Sequence, residues 1–101
     1  MKAADKKQVL RLLELNKKRL LHEIRQSREL MNLISKSTTQ DLTDEEWKQM
    51  KDQLLDVFKS IPALAIFLLP GGALLLPLAV KFIPQIMPSS FSKTDFDKES
   101  N

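Results

Sequence analysis

Cysteine is absent from this 101-residue chain. No disulfide framework, thiolate nucleophile or cysteine-based metal site can therefore exist. Histidine occurs once, as His22 in a charged stretch, where a surface or packing role outweighs a pH-sensing or ligand role. Glycine is scarce too. Its two copies, Gly71 and Gly72, stand together after Pro70 and read as a backbone break. No Gly-x-Gly-x-x-Gly or Walker pattern surrounds them, so they do not read as a phosphate loop. No Ser/His/Asp set or metal-ligand spacing offers chemistry, and no enzyme activity, cofactor or metal is expected. The first 60 residues lack the apolar region of a signal peptide, and Asp5 and Glu14 interrupt the basic run of a mitochondrial transit peptide.

What is present is strongly segregated. Residues 1–60 hold 13 Lys/Arg and 10 Asp/Glu, whereas Ile61 to Val80 are 20 consecutive residues without a charged or polar side chain. From Phe82 onward there are two Lys against three acids. A charged block, an apolar block and a polar tail differ from the mixed pattern of one small core. The net charge of +3 is too modest to argue for nucleic acid alone, though it suits an anionic lipid surface.

Residues 3–35 contain neither Gly nor Pro and are rich in helix formers. Leu10, Leu13, Leu20, Ile24, Met31 and Ile34 recur at helical spacing and predict one long helix, with Lys17 and Ser27 interrupting the stripe. Residues 1–36 carry ten Lys/Arg against four acids. A solvated face is the plain reading of that excess. Lipid or ribosome contact through Lys17, Lys18, Arg19, Arg25 and Arg28 is the sharper one.

Residues 36–40 read as a loop. Thr43 and Glu46 then form a capping box, with Leu42 and Trp47 at the positions of a hydrophobic staple. A second helix is therefore predicted over 43–60, with Trp47, Met50, Leu54, Phe58 and Ile61 along one side. The short loop predicts an antiparallel hairpin.

The run from Ile61 matches a bilayer's hydrocarbon thickness if it is helical. A buried core helix is the alternative, and the span is favoured because nothing else in so short a chain is expected to cover the run. Pro62, Pro70, Pro77 and Pro84 recur at intervals of eight, seven and seven. Two arrangements remain open: one kinked span, or a re-entrant hairpin turning at Pro70-Gly71-Gly72.

The segment Leu75-Leu76-Pro77-Leu78-Ala79-Val80-Lys81-Phe82-Ile83-Pro84-Gln85-Ile86-Met87-Pro88-Ser89-Ser90-Phe91 resembles the signature of the LETM family. These are the leucine-zipper, EF-hand transmembrane proteins of the mitochondrial inner membrane and their bacterial relatives. The resemblance covers Ile61 to Phe91 and rests on Pro62, Pro70, Gly71, Gly72, Pro77, Lys81, Pro84, Pro88 and Phe91. It implies a role in cation/proton homeostasis and ribosome contact. Three departures accompany it. Ala73 stands where mitochondrial members carry an acidic residue, no EF-hand loop is present, and a ribosome-binding-like domain following the signature is expected to be missing. The Gly-Gly pair is closer in style to the bacterial relatives.

The combined expectation is an all-α membrane protein with an N-terminal antiparallel helical hairpin over 1–60 and one proline-kinked transmembrane helix within 61–88. A polar, disordered tail over 89–101 completes it. The resemblance implies a membrane-anchored module in cation/proton homeostasis, or a lipid- or ribosome-tethering anchor without transport activity. The expected partners are the lipid bilayer, a second copy of the chain and the ribosome. The expected setting is a bacterial inner membrane, with the mitochondrial inner membrane as the alternative.

Overall fold

The computed structural model describes residues 6–91, apart from the side chain of Ala73. The start of the first predicted helix and the tail from residue 92 lie outside the described residues. Within them every regular element is helical: α1 (Lys6–Leu15), α2 (Lys17–Ile24), α3 (Arg28–Ser37), α4 (Asp44–Lys59), a first 3₁₀ segment (Pro62–Leu68), a second (Gly72–Leu75), α5 (Leu76–Ile86) and α6 (Pro88–Phe91).

The predicted helix over 3–35 is three helices. Asn16 makes the first break. Its side-chain amide donates to the Leu12 carbonyl at 2.8 Å, and its backbone N–H turns to Leu13 instead. Ser27 makes the second. It is extended and caps α3, its hydroxyl accepting from the Leu30 N–H at 3.1 Å. Short polar side chains that bond local backbone compete with an unbroken helix, and both breaks use that competition. The breaks let α1 lie on α5 while α2 and α3 turn along α4.

Helix α4 begins at the capping box. The Thr43 hydroxyl accepts from the Glu46 N–H at 3.1 Å, and the Thr43 N–H donates to the Glu46 carboxylate at 2.9 Å. Three tertiary contacts fix the direction of α4. Arg19 donates to the Ser60 carbonyl, the Ser27 hydroxyl donates to Gln53, and the Lys36 ammonium donates to Glu46. As the first number of each pair rises the second falls, so α2–α3 and α4 run antiparallel.

Glu46 gives this corner a pH dependence. The Lys36 hydrogen bond, followed by that of the Thr43 backbone, holds its carboxyl below the usual carboxylate range. A carboxyl lowered on folding stabilises fully above its unfolded pKa, and that contribution disappears as pH falls through the folded value. Thermal melts between neutral and acidic pH are therefore expected to show Tm falling through the carboxylate range. Glu46→Gln should flatten that fall while changing the neutral Tm only modestly. An unchanged acid slope in the variant would remove Glu46 from the account.

The apolar run is where expectation and structure part. No helix among the described residues is long and apolar enough to cross a membrane. The expected proline-kinked transmembrane helix is therefore corrected: the run is two 3₁₀ segments and the start of the 11-residue α5. The prolines are the reason. Pro62 and Pro88 open their elements, Pro70 follows the end of the first 3₁₀ segment, and Pro77 sits in the first turn of α5. A ring without an N–H fits each of those places. Pro84 alone lies inside a helix, where it cannot donate to the Val80 carbonyl.

The chain does turn at Pro70. The Gly72 N–H donates to the Leu69 carbonyl at 2.7 Å, and Gly71 has φ 85°, which together make a type II turn. Both arms then pack on protein. The first 3₁₀ segment lies against α4 and α1, and α5 lies against α1 and α3. Its inward side chains follow the three-residue period of a 3₁₀ helix: Ile61, Leu64 and Phe67 are buried, while Pro62, Ala63 and Ala65 are exposed. Phe67 stacks on Phe58 of α4 with centroids 4.5 Å apart. The cover thought lacking is supplied by Val9, Leu13, Leu20, Ile24, Leu30, Ile34, Met50, Leu54 and Phe58, all fully buried in one core with the run.

Candidate functional site

The residues singled out from the sequence fall into two groups. The first is basic and outward. Lys17 and Lys18 open α2, Arg28 opens α3, and both lysines, Arg19, Arg25 and Arg28 are exposed. Arg19 is the exception in role: its guanidinium donates to the Ser60 carbonyl at 3.0 Å and approaches Glu23 at 3.5 Å. Arg19 thus ties α2 to the end of α4 as well as adding charge. His22 lies on the same helix and is exposed.

The second group is the proline signature, and the structure divides it by task. Phe91 is buried, its carbonyl accepting from the Ser35 hydroxyl at 3.3 Å, which pins α6 to α3. Pro62 and Pro88 are exposed openings of their segments, and Pro70 and Gly71 form the turn. Gly72 is buried where a side chain would meet the Ile66 and Phe67 backbone. Ala73 falls in the second 3₁₀ segment, with its side chain outside what the structure describes.

Pro77, Lys81 and Pro84 share one side of α5 and line a groove of about 860 Å³ with the corner from Ser37 to Trp47. Its more buried lining is mostly apolar, with Leu42, Trp47, Val80 and Pro84 beside Ser37, whose hydroxyl donates to the Ile34 carbonyl. Asp41 and Asp44 from the corner and Lys81 from α5 also line the groove, all three exposed. Sequence reasoning read Leu42 and Trp47 as a helix-start staple. Both are half-buried against the core, and both also line the groove. Asp41 and Asp44 were not anticipated as site residues, because only the fold brings them opposite α5.

Among the described residues no group of three or more His, Cys, Asp or Glu could hold a metal ion. Among the described residues the arrangement is a small helical unit with exposed basic residues on α2 and α3 and a groove lined by Asp41, Asp44 and Lys81. The sequence profile of the family described as LETM1-like, RBD matches residues 42–101, from the start of the capping corner to the last residue given. The chain belongs to this LETM1-like family. A Drosophila melanogaster protein named mitochondrial proton/calcium exchanger protein is 40% identical over 58 residues, covering 57% of this chain and 6% of the relative. A Schizosaccharomyces pombe protein named LETM1 domain-containing protein mdm28, mitochondrial, is 37% identical over 60 residues, covering 59% of this chain and 12% of the relative. The chain thus spans a small part of either relative's length. No solved structure matches.

Two expectations change here. The ribosome-binding-type domain expected to be missing after Phe91 is the matched region itself, which begins before α4 and includes the signature. The bacterial setting finds no support, since both relatives are named as mitochondrial.

Proposed function

We propose that this chain is a LETM1-type tethering module that docks on the ribosome through its basic helices, serving cation homeostasis without catalysis or ion exchange of its own. The match of residues 42–101 to the LETM1-like, RBD family carries this reading. In this reading α4 to α6 form the family scaffold. Helices α1 to α3 cover it and turn Lys17, Lys18 and Arg28 outward, where ribosomal RNA phosphates attract them. The exchange named for the Drosophila relative is the setting in which the tether works, and the mitochondrial naming of both relatives supports a mitochondrial compartment.

Co-sedimentation with ribosomes tests the proposal. Binding should weaken steeply between about 50 and 200 mM salt, and charge reversal of Lys17, Lys18 and Arg28 to Glu should cost roughly tenfold or more at low salt. Arg19 is left intact because of its structural bond to Ser60. Full binding by the triple variant would remove the basic face from the contact. The same proteins should be floated with phosphatidylglycerol vesicles, because Leu68, Leu69 and Leu74 lie exposed around the Pro70 turn. Charge-dependent flotation without ribosome binding would move the tether to a lipid surface.

A further inference from the structure

We propose that the groove between the 37–47 corner and α5 is a docking site for a lysine- or arginine-rich peptide segment of a partner protein that carries apolar side chains. The site is distinct from the basic face and of opposite sign. Residues 37–47 hold four carboxylates, Asp41, Asp44, Glu45 and Glu46, and no Lys or Arg, in a chain whose net charge is +3. Glu46 is spoken for by Lys36. Among the described residues no ion pair takes Asp41, Asp44 or Glu45, and the one cation lining the groove is Lys81 on the far wall.

The floor supplies the second half of the recognition. Trp47 and Leu42 are half-buried beside Val80 and Pro84, so an incoming Leu or Phe side chain would finish their burial. A tryptophan covered by a partner and ringed by polar residues is the usual anchor of a protein contact. Acidic edges steer a basic segment toward it and repel a nucleic acid backbone. The volume of about 860 Å³ lies within the range that holds several side chains.

Trp47 is the only tryptophan, so its emission reports the groove directly. The full chain should be titrated with a short synthetic peptide alternating lysine and leucine, and separately with one alternating glutamate and leucine. The lysine peptide is expected to shift Trp47 emission to the blue in a salt-sensitive way; the glutamate peptide should not. Asp41→Lys should weaken the lysine peptide and Lys81→Glu should tighten it, each by about three- to tenfold. Both positions are exposed, and circular dichroism would verify that the fold is kept. No shift, an equal shift with the glutamate peptide, or affinities that ignore both substitutions would overturn the proposal. So would an equivalent shift on adding single-stranded RNA, which would make the groove a nucleic acid site. Ribosome co-sedimentation of Asp41→Lys separates the two sites: unchanged binding leaves the tethering reading standing whatever the peptide does.

Discussion

Replacing Phe67 with alanine is expected to destabilise the protein by about 3–5 kcal/mol, while Leu74→Ala stays within about 0.5 kcal/mol of wild type. Both residues belong to the uncharged run, and hydropathy alone does not distinguish them. The fold does. Phe67 is 1% exposed and stacks on Phe58, whereas Leu74 is 82% exposed at the far side of the turn. Truncating Phe67 forfeits the transfer energy of the ring, leaves a cavity between the first 3₁₀ segment and α4, and loses the ring pair. Small domains are stable by only about 5–15 kcal/mol, so this one change would remove a large fraction. Urea unfolding followed by circular dichroism and by Trp47 emission measures it. Equal, small effects at both positions would mean that the run is not packed as a core.

Gly72→Ala should be the next most damaging small change. A Cβ at Gly72 would lie 2.9 Å from the carbonyl carbon and oxygen of Phe67, and closer still to the Ile66 carbonyl oxygen. Those obstacles are backbone and cannot swing aside, so the second 3₁₀ segment must back away from the first. The expected loss is about 2–3 kcal/mol, at the upper end for overpacking. Gly71 fails for a different reason. Its surroundings are open, but φ 85° strains any L side chain, which costs about 1–2 kcal/mol. Denaturation midpoints of the two variants should therefore fall in that order. The reverse order would mean that the turn, and not the close approach of the arms, governs this region.

Much of the helical scaffold could be read from the chain. Thr43 and Glu46 announced the start of α4, and the capping box is formed as drawn. In the two stripes Met50, Leu54, Phe58 and Ile61, and Leu13, Leu20, Ile24, Met31 and Ile34, are buried, while Trp47 and Leu10 are half-buried against the same core. The two breaks were less visible. Asn16 and Ser27 sit among strong helix formers, and only their side-chain bonds to local backbone reveal that one helix stops and the next begins there. Missing those breaks made the first helix look like a rod unable to wrap anything, which in turn left the apolar run without cover and suggested lipid. The period of three in Ile61, Leu64 and Phe67 was present all along, but a window that averages hydropathy discards it. The basic face needed no folding to be seen, since charge is a property of the sequence. The groove did: Trp47 and Pro84 become neighbours in one lining only after α5 is laid beside the capping corner.

The order of these parts along the chain matters during synthesis. Helices α1 to α4 occupy residues 6–59, and the apolar run starts at Ile61. Translation proceeds from the amino terminus, so α1 and α4, on which the first 3₁₀ segment packs, have been made before the run leaves the exit tunnel. Ile61, Leu64 and Phe67 then emerge next to a finished α4, with Phe58 already waiting, and local contacts of this kind close fastest. An exposed stretch this apolar would invite aggregation or capture by a chaperone. Here α1 to α4 precede it along the chain, which shortens its lifetime as a bare segment.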